Sequence, residues 1–134
     1  MISVLIPTYN YNAYNLVAEI HQQLIKSNIN FEIICLDDGS KWQHNSLNEK
    51  INTLSHSKFE ILPNNIGRSA IRNLLAKKAA YDWLLFLDAD VMPVKSDFIA
   101  TYFRQVLKKG SVFCGGIAYE DHPKNKSFLR YKYG

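Results

Sequence analysis

Short apolar runs alternate along this chain with longer segments in which apolar residues recur at helical spacing. This alternation is typical of successive strand–helix–strand units, in which parallel strands form a sheet and helices cover both of its faces. The apolar runs predict strands near residues 2–6, 31–36, 58–62, 83–87 and 111–119. The sequence therefore predicts an α/β fold, a three-layer α/β/α sandwich built on a mostly parallel sheet.

Four segments between the strands predict helices. Apolar residues follow i, i+3, i+4 spacing from Ala13, from Ile71 and, most strongly, from Phe98, and they do so more weakly from Leu47. The chain has 134 residues and is 47% hydrophobic, which suits one domain over residues 1–134 with a substantial core. Because no closing helix follows the last predicted strand, we expect this domain to be the first half of a larger protein.

The positive charge of the chain is concentrated in its second half. Residues 63–134 carry 12 basic and 6 acidic groups, whereas residues 1–62 carry 4 basic and 6 acidic groups. Such an excess of positive charge favours an anionic ligand. The sequence contains no helix-turn-helix or zinc-finger spacing, so nucleic acid is not expected as a partner.

The sequence predicts a cytoplasmic protein. No apolar run approaches the roughly 20 residues that cross a bilayer, and no basic region precedes a signal-type apolar stretch. Residues 124–134 mix basic and aromatic side chains, as do segments that contact anionic membranes. Contact with the inner face of the membrane is one interpretation of this tail, and a solvated surface helix is the other.

The two cysteines predict neither a disulfide nor a metal site. Cys35 and Cys114 are far apart in the sequence, and neither has a second cysteine or a histidine at metal-ligand spacing. Each lies within a predicted strand. We therefore expect both to be buried, reduced thiols.

Polar residues follow three of the predicted strands at the point where each should end. These tips are residues 7–10 (Pro-Thr-Tyr-Asn), 37–40 (Asp-Asp-Gly-Ser) and 88–90 (Asp-Ala-Asp). The carboxyl ends of parallel strands meet at one edge of an open α/β sheet, where such sheets bind ligands. The three tips are therefore expected to converge on one ligand.

The third tip predicts a divalent-metal site. Asp88 and Asp90 offer carboxylate oxygens, which Mg²⁺ and Mn²⁺ prefer as ligands, and a substrate diphosphate often completes such a site. In an extended segment, residues i and i+2 point to the same side, so one acid could hold the metal while the other reaches a neighbouring hydroxyl. A surface turn with two solvated acids is the alternative interpretation.

The other polar segments suit a nucleotide. The ring of Tyr9 is able to stack on a base, and the Asp38 carboxylate is able to accept the N–H of a nucleobase, although residues 37–40 also read as a simple turn. Arg68 and Arg72 lie near a predicted helix start, where cations oppose the helix dipole. Guanidinium groups bind phosphate well, so these arginines indicate an anionic ligand, with surface solubility as the alternative.

Four motifs together resemble those of family 2 glycosyltransferases, in the order and approximate spacing of that family. They occupy residues 3–10, 36–40, 65–73 and 86–90. The resemblance covers roughly residues 2–117. It implies the GT-A fold, a nucleotide-diphosphate sugar donor that is most often a UDP-sugar, inversion at the anomeric carbon, and Mn²⁺ or Mg²⁺ as cofactor. It also implies a saccharide or lipid-linked acceptor, as in the synthesis of cell-envelope polysaccharides.

The resemblance further implies a role for each residue that matches a motif. Pro7, Thr8 and Tyr9 would line the uridine pocket, Asp38 would face the uracil ring, Arg68 or Arg72 would hold the base or the diphosphate, Asp88 would lie near the ribose and the metal, and Asp90 would coordinate the metal. The family takes its catalytic base from an acidic residue well beyond the metal motif, which we expect past residue 134. Glu120 and Asp121 follow Gly115-Gly116 too soon to match that position.

Other functions compete with this interpretation. Phosphatases of the haloacid dehalogenase type also place an Asp-x-Asp motif after an apolar strand, but on an early strand and with a following threonine, whereas Val91 follows here. A sugar nucleotidyltransferase needs a glycine-rich, basic loop after the first strand, which residues 7–10 do not provide. The remaining alternative is a non-catalytic nucleotide-sugar-binding or interaction module.

Overall fold

A computed structural model of the chain describes residues 1–41, 45–106, 108, 112–116 and 118. In chain order the elements are β1 (Ile2–Thr8), α1 (Tyr14–Lys26), β2 (Phe31–Asp37), α2 (Asn45–Glu49), a 3₁₀ helix (Lys50–Thr53), β3 (Ser57–Ile61), α3 (Arg68–Lys78), β4 (Leu84–Phe86) and α4 (Phe98–Val106). Strands and helices alternate as the sequence pattern predicts. The weak helical pattern from Leu47 forms one short α-helix that continues as the 3₁₀ helix.

The described strands form one parallel sheet with the order β3-β2-β1-β4. β1 pairs with β2 over its whole length, from Ile2 opposite Phe31 to Thr8 opposite Asp37. On its other side β1 pairs with the shorter β4, where Leu5 lies opposite Phe86. The prediction of an α/β fold on a mostly parallel sheet is confirmed, and the two central strands place their carboxyl ends side by side.

Two apolar layers cover the sheet because successive side chains of a strand point to opposite faces. On one face, Val4, Ile6 and Ile33 pack with apolar residues of α1 and with Ile99 of α4. On the other face, Leu5, Ile34 and Leu36 pack against Ile71 and Leu75 of α3. Both faces of β1 and β2 are therefore buried, which explains why their sequences are apolar without alternation.

The predicted fifth strand is wrong over the residues that the structure describes. Residues 112–116 and 118 form no strand, and the rest of the range 111–119 lies outside the described residues. An apolar run becomes a strand only when a neighbouring strand offers hydrogen-bond partners. Here the Phe113 ring instead lies 6.2 Å from the Trp83 ring, measured between centroids.

The two cysteines differ from each other. Cys35 is buried in β2, as predicted, and burial first, followed by the negative charge of Asp37, raises the pKa of its thiol. Cys114 is exposed, so its predicted burial is wrong, because the segment around it does not join the sheet. Among the described residues, no helix is long and apolar enough to cross a membrane.

Candidate functional site

The three polar tips lie at the carboxyl edge of the sheet. The backbone N–H of Asp38 donates to the carbonyl of Thr8 at 2.9 Å, which continues the β1–β2 pairing one step past the strands. The N–H of Leu87 donates to the carbonyl of Leu5 at 3.1 Å, so the chain leaves β4 beside β1 in the same direction. The three tips therefore share one edge of the sheet, as predicted, and their convergence on one ligand stays a prediction.

The first residue of the β2 tip joins two of the loops. Asp37 is fully buried, and its carboxylate accepts hydrogen bonds from the N–H of Ser40 at 2.6 Å and from the Ser40 hydroxyl at 2.7 Å. The same hydroxyl oxygen accepts the backbone N–H of Asn10 at 2.7 Å. Asp37 thus closes the turn after β2 and, through Ser40, fixes the loop after β1.

Asp38 holds the loop that enters α3. It is 5% exposed, and its two carboxylate oxygens accept the backbone N–H groups of Ile66 at 2.7 Å and Gly67 at 3.0 Å. Gly67 precedes the helix with a φ of 89° and no side-chain cap. The Asp38 carboxylate therefore binds two N–H groups at the helix entry, where negative charge is favourable. This contact across 28 and 29 residues was not predicted from the sequence.

A close backbone approach supports the same junction. Gly39 has a φ of +76°, and a Cβ atom on it would lie 2.7 Å from the carbonyl carbon of Asn64 and from the backbone nitrogen of Asn65. A side chain at Gly39 would collide with that peptide group. The loops that follow β2 and β3 are therefore packed backbone against backbone.

Asn48 of α2 clamps the loop after β1. This buried side chain donates from Nδ2 to the carbonyl of Tyr11 at 2.9 Å and accepts the N–H of Ala13 at its Oδ1, also at 2.9 Å. The hydroxyl of Thr8 donates to the same Tyr11 carbonyl at 3.2 Å. Sequence reasoning missed Asn48, and a polar residue in a weakly amphipathic helix gave no signal of this contact. The clamped loop leaves the Tyr9 side of the edge open, with Tyr9 54% exposed.

The acidic tip after β4 is exposed and carries an arginine. Nη2 of Arg72 donates to Oδ1 of Asp88 in an ion pair whose side chains are 37% and 61% exposed, respectively. Nη1 of Arg72 also donates to the carbonyl of Arg68 at 3.3 Å. Asp90 is exposed and forms no hydrogen bond or ion pair with any residue in the described part of the chain.

The backbone of this tip corrects one expectation. β4 ends at Phe86, and the N–H of Val91 approaches the carbonyl of Asp88 at 3.3 Å around a turn at Ala89 and Asp90. The two aspartates therefore do not lie in an extended segment, and strand periodicity does not set their relative direction. The surface turn named as the alternative is the observed backbone, although it stands beside Arg72 at the shared edge.

The donor set fits a divalent cation that is shared with a ligand. Asp88 and Asp90 supply hard carboxylate oxygens, and Mg²⁺ is usually bound through one or two carboxylates together with substrate phosphates. Within the described residues there is no group of three or more His, Cys, Asp or Glu side chains that would hold a metal by itself. The residues present thus suit a cation that arrives with a diphosphate.

Cavity volume does not mark this edge. A groove of about 670 Å³ lies at the opposite, amino edge of the sheet, between the end of α1 and the start of α4. Gln23, Asn28 and Asp97 are among its lining residues. The groove lacks the combination of paired carboxylates and arginines found at the carboxyl edge. The charged side chains at the carboxyl edge, rather than the volume of a cavity, therefore identify the candidate site.

All the site residues predicted from the sequence lie around the carboxyl edge, while their individual roles stay predictions. They come from the end of β1 and its loop (Pro7, Thr8, Tyr9), the end of β2 (Asp38), the start of α3 (Arg68, Arg72) and the turn after β4 (Asp88, Asp90). Glu120, Asp121 and the tail 124–134 lie outside the described residues.

Comparison with known proteins shows what the chain is similar to. It is 37% identical over 101 residues to an uncharacterized glycosyltransferase of Haemophilus influenzae, a match that covers 75% of this chain and 38% of that protein. It is 26% identical over 109 residues to the glycosyltransferase GlyA of Streptococcus pneumoniae, covering 80% of this chain and 15% of that protein. The chain spans a little over a third of the length of the first of these relatives.

Solved structures of glycosyltransferases are also similar to this chain. A fragment of S. aureus TarS in complex with UDP-GlcNAc matches with a TM-score of 0.60 and 27% identity over 78% of this chain and 30% of that one. A mannosyltransferase from Pyrobaculum calidifontis, in complex with GDP-Man and Mn²⁺, shares the fold with a TM-score of 0.61 and 17% identity over 81% of this chain and 32% of that one. The sequence profile of the family described as glycosyl transferase family 2 matches residues 3–133. The chain therefore belongs to glycosyl transferase family 2.

Proposed function

We propose that this chain is the nucleotide-sugar-binding part of an inverting glycosyltransferase. It takes a UDP-sugar as donor and, with Mn²⁺ or Mg²⁺, transfers the sugar to a hydroxyl of a saccharide or lipid-linked acceptor. The observation that carries the proposal is the exposed acidic tip, Asp88 and Asp90, lying beside Arg72 at the edge where the other polar tips meet. Family membership supports it, as does the likeness to TarS, which has been solved with UDP-GlcNAc and with UDP.

The base-binding end of the site is assigned to β1 and β2. Tyr9 offers an exposed ring that is able to stack on uracil, and Pro7 and Thr8 form the end of β1 directly before it in the chain. Each oxygen of Asp38 already accepts one backbone N–H group. A carboxylate oxygen has a second acceptor position, so Asp38 keeps capacity for the N–H of a uracil ring.

The diphosphate end is assigned to α3 and the tip after β4. The guanidinium groups of Arg68 and Arg72 hold phosphate oxygens, and Asp90, with Asp88, holds the cation. A bound divalent cation neutralises the charge that grows on the departing nucleoside diphosphate. The general base that takes the acceptor proton is expected outside these residues, as the family resemblance implies.

Calorimetry with a matched pair of variants tests the proposal. UDP is titrated into the chain with and without Mn²⁺, and the same is done for Asp90→Ala and for Asp97→Ala. Asp97 is an exposed acid near the start of α4 that lines the groove at the amino edge. Its replacement by alanine changes the net charge of the chain by the same amount as Asp90→Ala. We expect Mn²⁺-dependent UDP binding that Asp90→Ala weakens about tenfold or more, because the variant loses one of two carboxylate ligands and even the partners that orient metal ligands are worth about 10–100-fold in metal affinity. Asp97→Ala should bind as the wild type does. Equal binding by all three proteins would contradict the proposal.

A transfer assay separates the enzyme from a non-catalytic nucleotide-sugar-binding module. Sugar release from a radiolabelled UDP-sugar is measured for the wild type and for Asp90→Ala. Slow release by the wild type that the variant lacks supports the transferase. Donor binding with no release of sugar, even by a longer chain that includes the expected general base, supports the binding module instead.

A further inference from the structure

One contact at the candidate site lies between two groups that the proposed function assigns to different partners. Arg72 is assigned to the donor phosphates, and Asp88, with Asp90, is assigned to the cation. In the structure the two are bound to each other, with Nη2 of Arg72 donating to Oδ1 of Asp88. A ligand that binds both groups must therefore replace this ion pair.

The pair is placed so that it can be exchanged. Its side chains are 37% and 61% exposed, and an ion pair at such exposure is worth only a few-fold in an equilibrium constant. The Arg72 side chain has a second contact at the carbonyl of Arg68, 3.3 Å away, so the guanidinium keeps a partner on its own helix when it leaves Asp88. A carboxylate that stabilises the fold would be buried and would accept backbone N–H groups, as the Asp37 and Asp38 carboxylates do.

The formal charges at the start of α3 and in the turn after β4 cancel. Two arginines, Arg68 and Arg72, stand with two aspartates, Asp88 and Asp90, at the start of α3 and after β4. A divalent cation that arrives alone meets one carboxylate already neutralised by a guanidinium. A cation that arrives with a diphosphate brings oxygen ligands for itself and an anionic partner for the released arginine.

We propose that Arg72 is an exchangeable counter-ion of Asp88. It occupies the carboxylate in the ligand-free protein, and it moves to the diphosphate when a divalent cation binds Asp88. This inference rests on the proposed function and adds a coupling to it. Because each ligand removes an obstacle to the other, cation and diphosphate bind cooperatively, and the coupling is the same in either order of binding.

The test compares Arg72→Gln with Arg104→Gln in two binding measurements. Arg104 is an exposed arginine of α4 whose Nη2 lies 3.7 Å from Oδ2 of Asp97. Its replacement removes the same positive charge as Arg72→Gln, and it also removes an exposed ion pair, but away from the candidate site. Binding of Mn²⁺ alone is followed by the electron paramagnetic resonance signal of the free ion. Binding of UDP at saturating Mn²⁺ is followed by calorimetry.

Arg72→Gln is expected to change the two affinities in opposite directions. Mn²⁺ alone should bind about two- to fivefold more tightly, the range that an exposed ion pair supplies. UDP with Mn²⁺ should bind about tenfold or more weakly, because a charge-assisted contact to phosphate is lost. Arg104→Gln should alter each affinity by less than about 1.5-fold. Arg72→Lys, which keeps the charge, should bind Mn²⁺ alone as the wild type does.

Opposite signs distinguish exchange from a structural role, because a variant that disturbs the fold would weaken both affinities. Unchanged or weaker Mn²⁺ binding in Arg72→Gln would overturn the exchange while leaving the proposed function intact, provided that the wild type binds UDP with Mn²⁺. Failure of the wild type itself to bind UDP with Mn²⁺ would overturn both.

Discussion

The acidic tips after β2 and after β4 differ in burial and in partners. Asp37 and Asp38 are buried, and every carboxylate oxygen accepts a hydrogen bond from the loops around it. Asp88 and Asp90 are exposed. The Asp88 carboxylate contacts the partly exposed side chain of Arg72 in an ion pair. The first tip has the contacts of a structural frame, and the second has the contacts of a ligand site.

Their positions in the sheet explain the difference. β2 lies between β1 and β3, with helices over both faces, so the carboxylates at its end are surrounded by backbone N–H groups. β4 is three residues long and lies at the edge of the described sheet, where Leu84 and Phe86 are exposed. The carboxylates after β2 are therefore buried and those after β4 are exposed, because β2 is a central strand and β4 is an edge strand.

The largest expected effect on stability comes from adding a side chain at Gly39, in the loop after β2. Gly39→Ala should lower the free energy of unfolding by about 3 kcal/mol or more, since it combines a positive φ with a collision against a backbone peptide. Gly67→Ala is the matched control, because Gly67 has a φ of +89° but nothing within 4 Å of its Cβ position. It should cost less, about 1–3 kcal/mol, because its φ of 89° and ψ of 163° lie in a region that is favourable only for glycine. Urea denaturation of both variants measures the difference, and equal losses would contradict the close approach.

The next effect separates the two tips directly. Asp38→Ala leaves the N–H groups of Ile66 and Gly67 without their acceptor and should cost about 2–3 kcal/mol of stability. Asp90→Ala, made at the exposed tip, should change stability by less than about 0.5 kcal/mol. The same denaturation experiment checks both. A stability loss in Asp90→Ala as large as that in Asp38→Ala would remove the distinction between frame and ligand site.

The smallest effect gives a reference for an exposed ion pair away from the site. Hydrogen bonds from Lys58, and then from Lys78, lower the pKa of Glu60 in β3. A carboxylate whose pKa is lower in the folded state adds stability above its unfolded pKa, and this stability is lost as the pH falls. Glu60→Gln should therefore cost about 0.5 kcal/mol or less at pH 7. Denaturation below a pH of about 4, near the usual Glu pKa, should show a shrinking difference between variant and wild type. A difference that grows in acid would reverse the sign.

Much of the fold could be predicted because the signals are local. The apolar runs near 2–6 and 31–36 predicted β1 and β2 to within two residues at each end. The carboxyl ends of parallel strands lie at the same edge of a sheet, so the predicted topology alone placed Asp38 and Asp88 at that edge. The apolar run near 111–119 failed because the existence of a strand also depends on a partner, which periodicity does not reveal.

The contacts within the site could not be predicted in the same way. Asp38 binds N–H groups 28 and 29 residues away, and Asn48 clamps residues 35 and 37 positions before it. Such contacts depend on how loops approach one another, which no local pattern contains. Likewise, the sequence at Asp88–Val91 is compatible with an extended segment or a turn, and the structure has the turn.

A crystal of the chain soaked with UDP and Mn²⁺ tests the central claim most directly. The account predicts an anomalous manganese peak within ligand distance of Asp90, with the diphosphate beside Arg72 and the uracil ring near Tyr9. Manganese and nucleotide bound in the groove at the amino edge, beside Gln23 and Asp97, would contradict it.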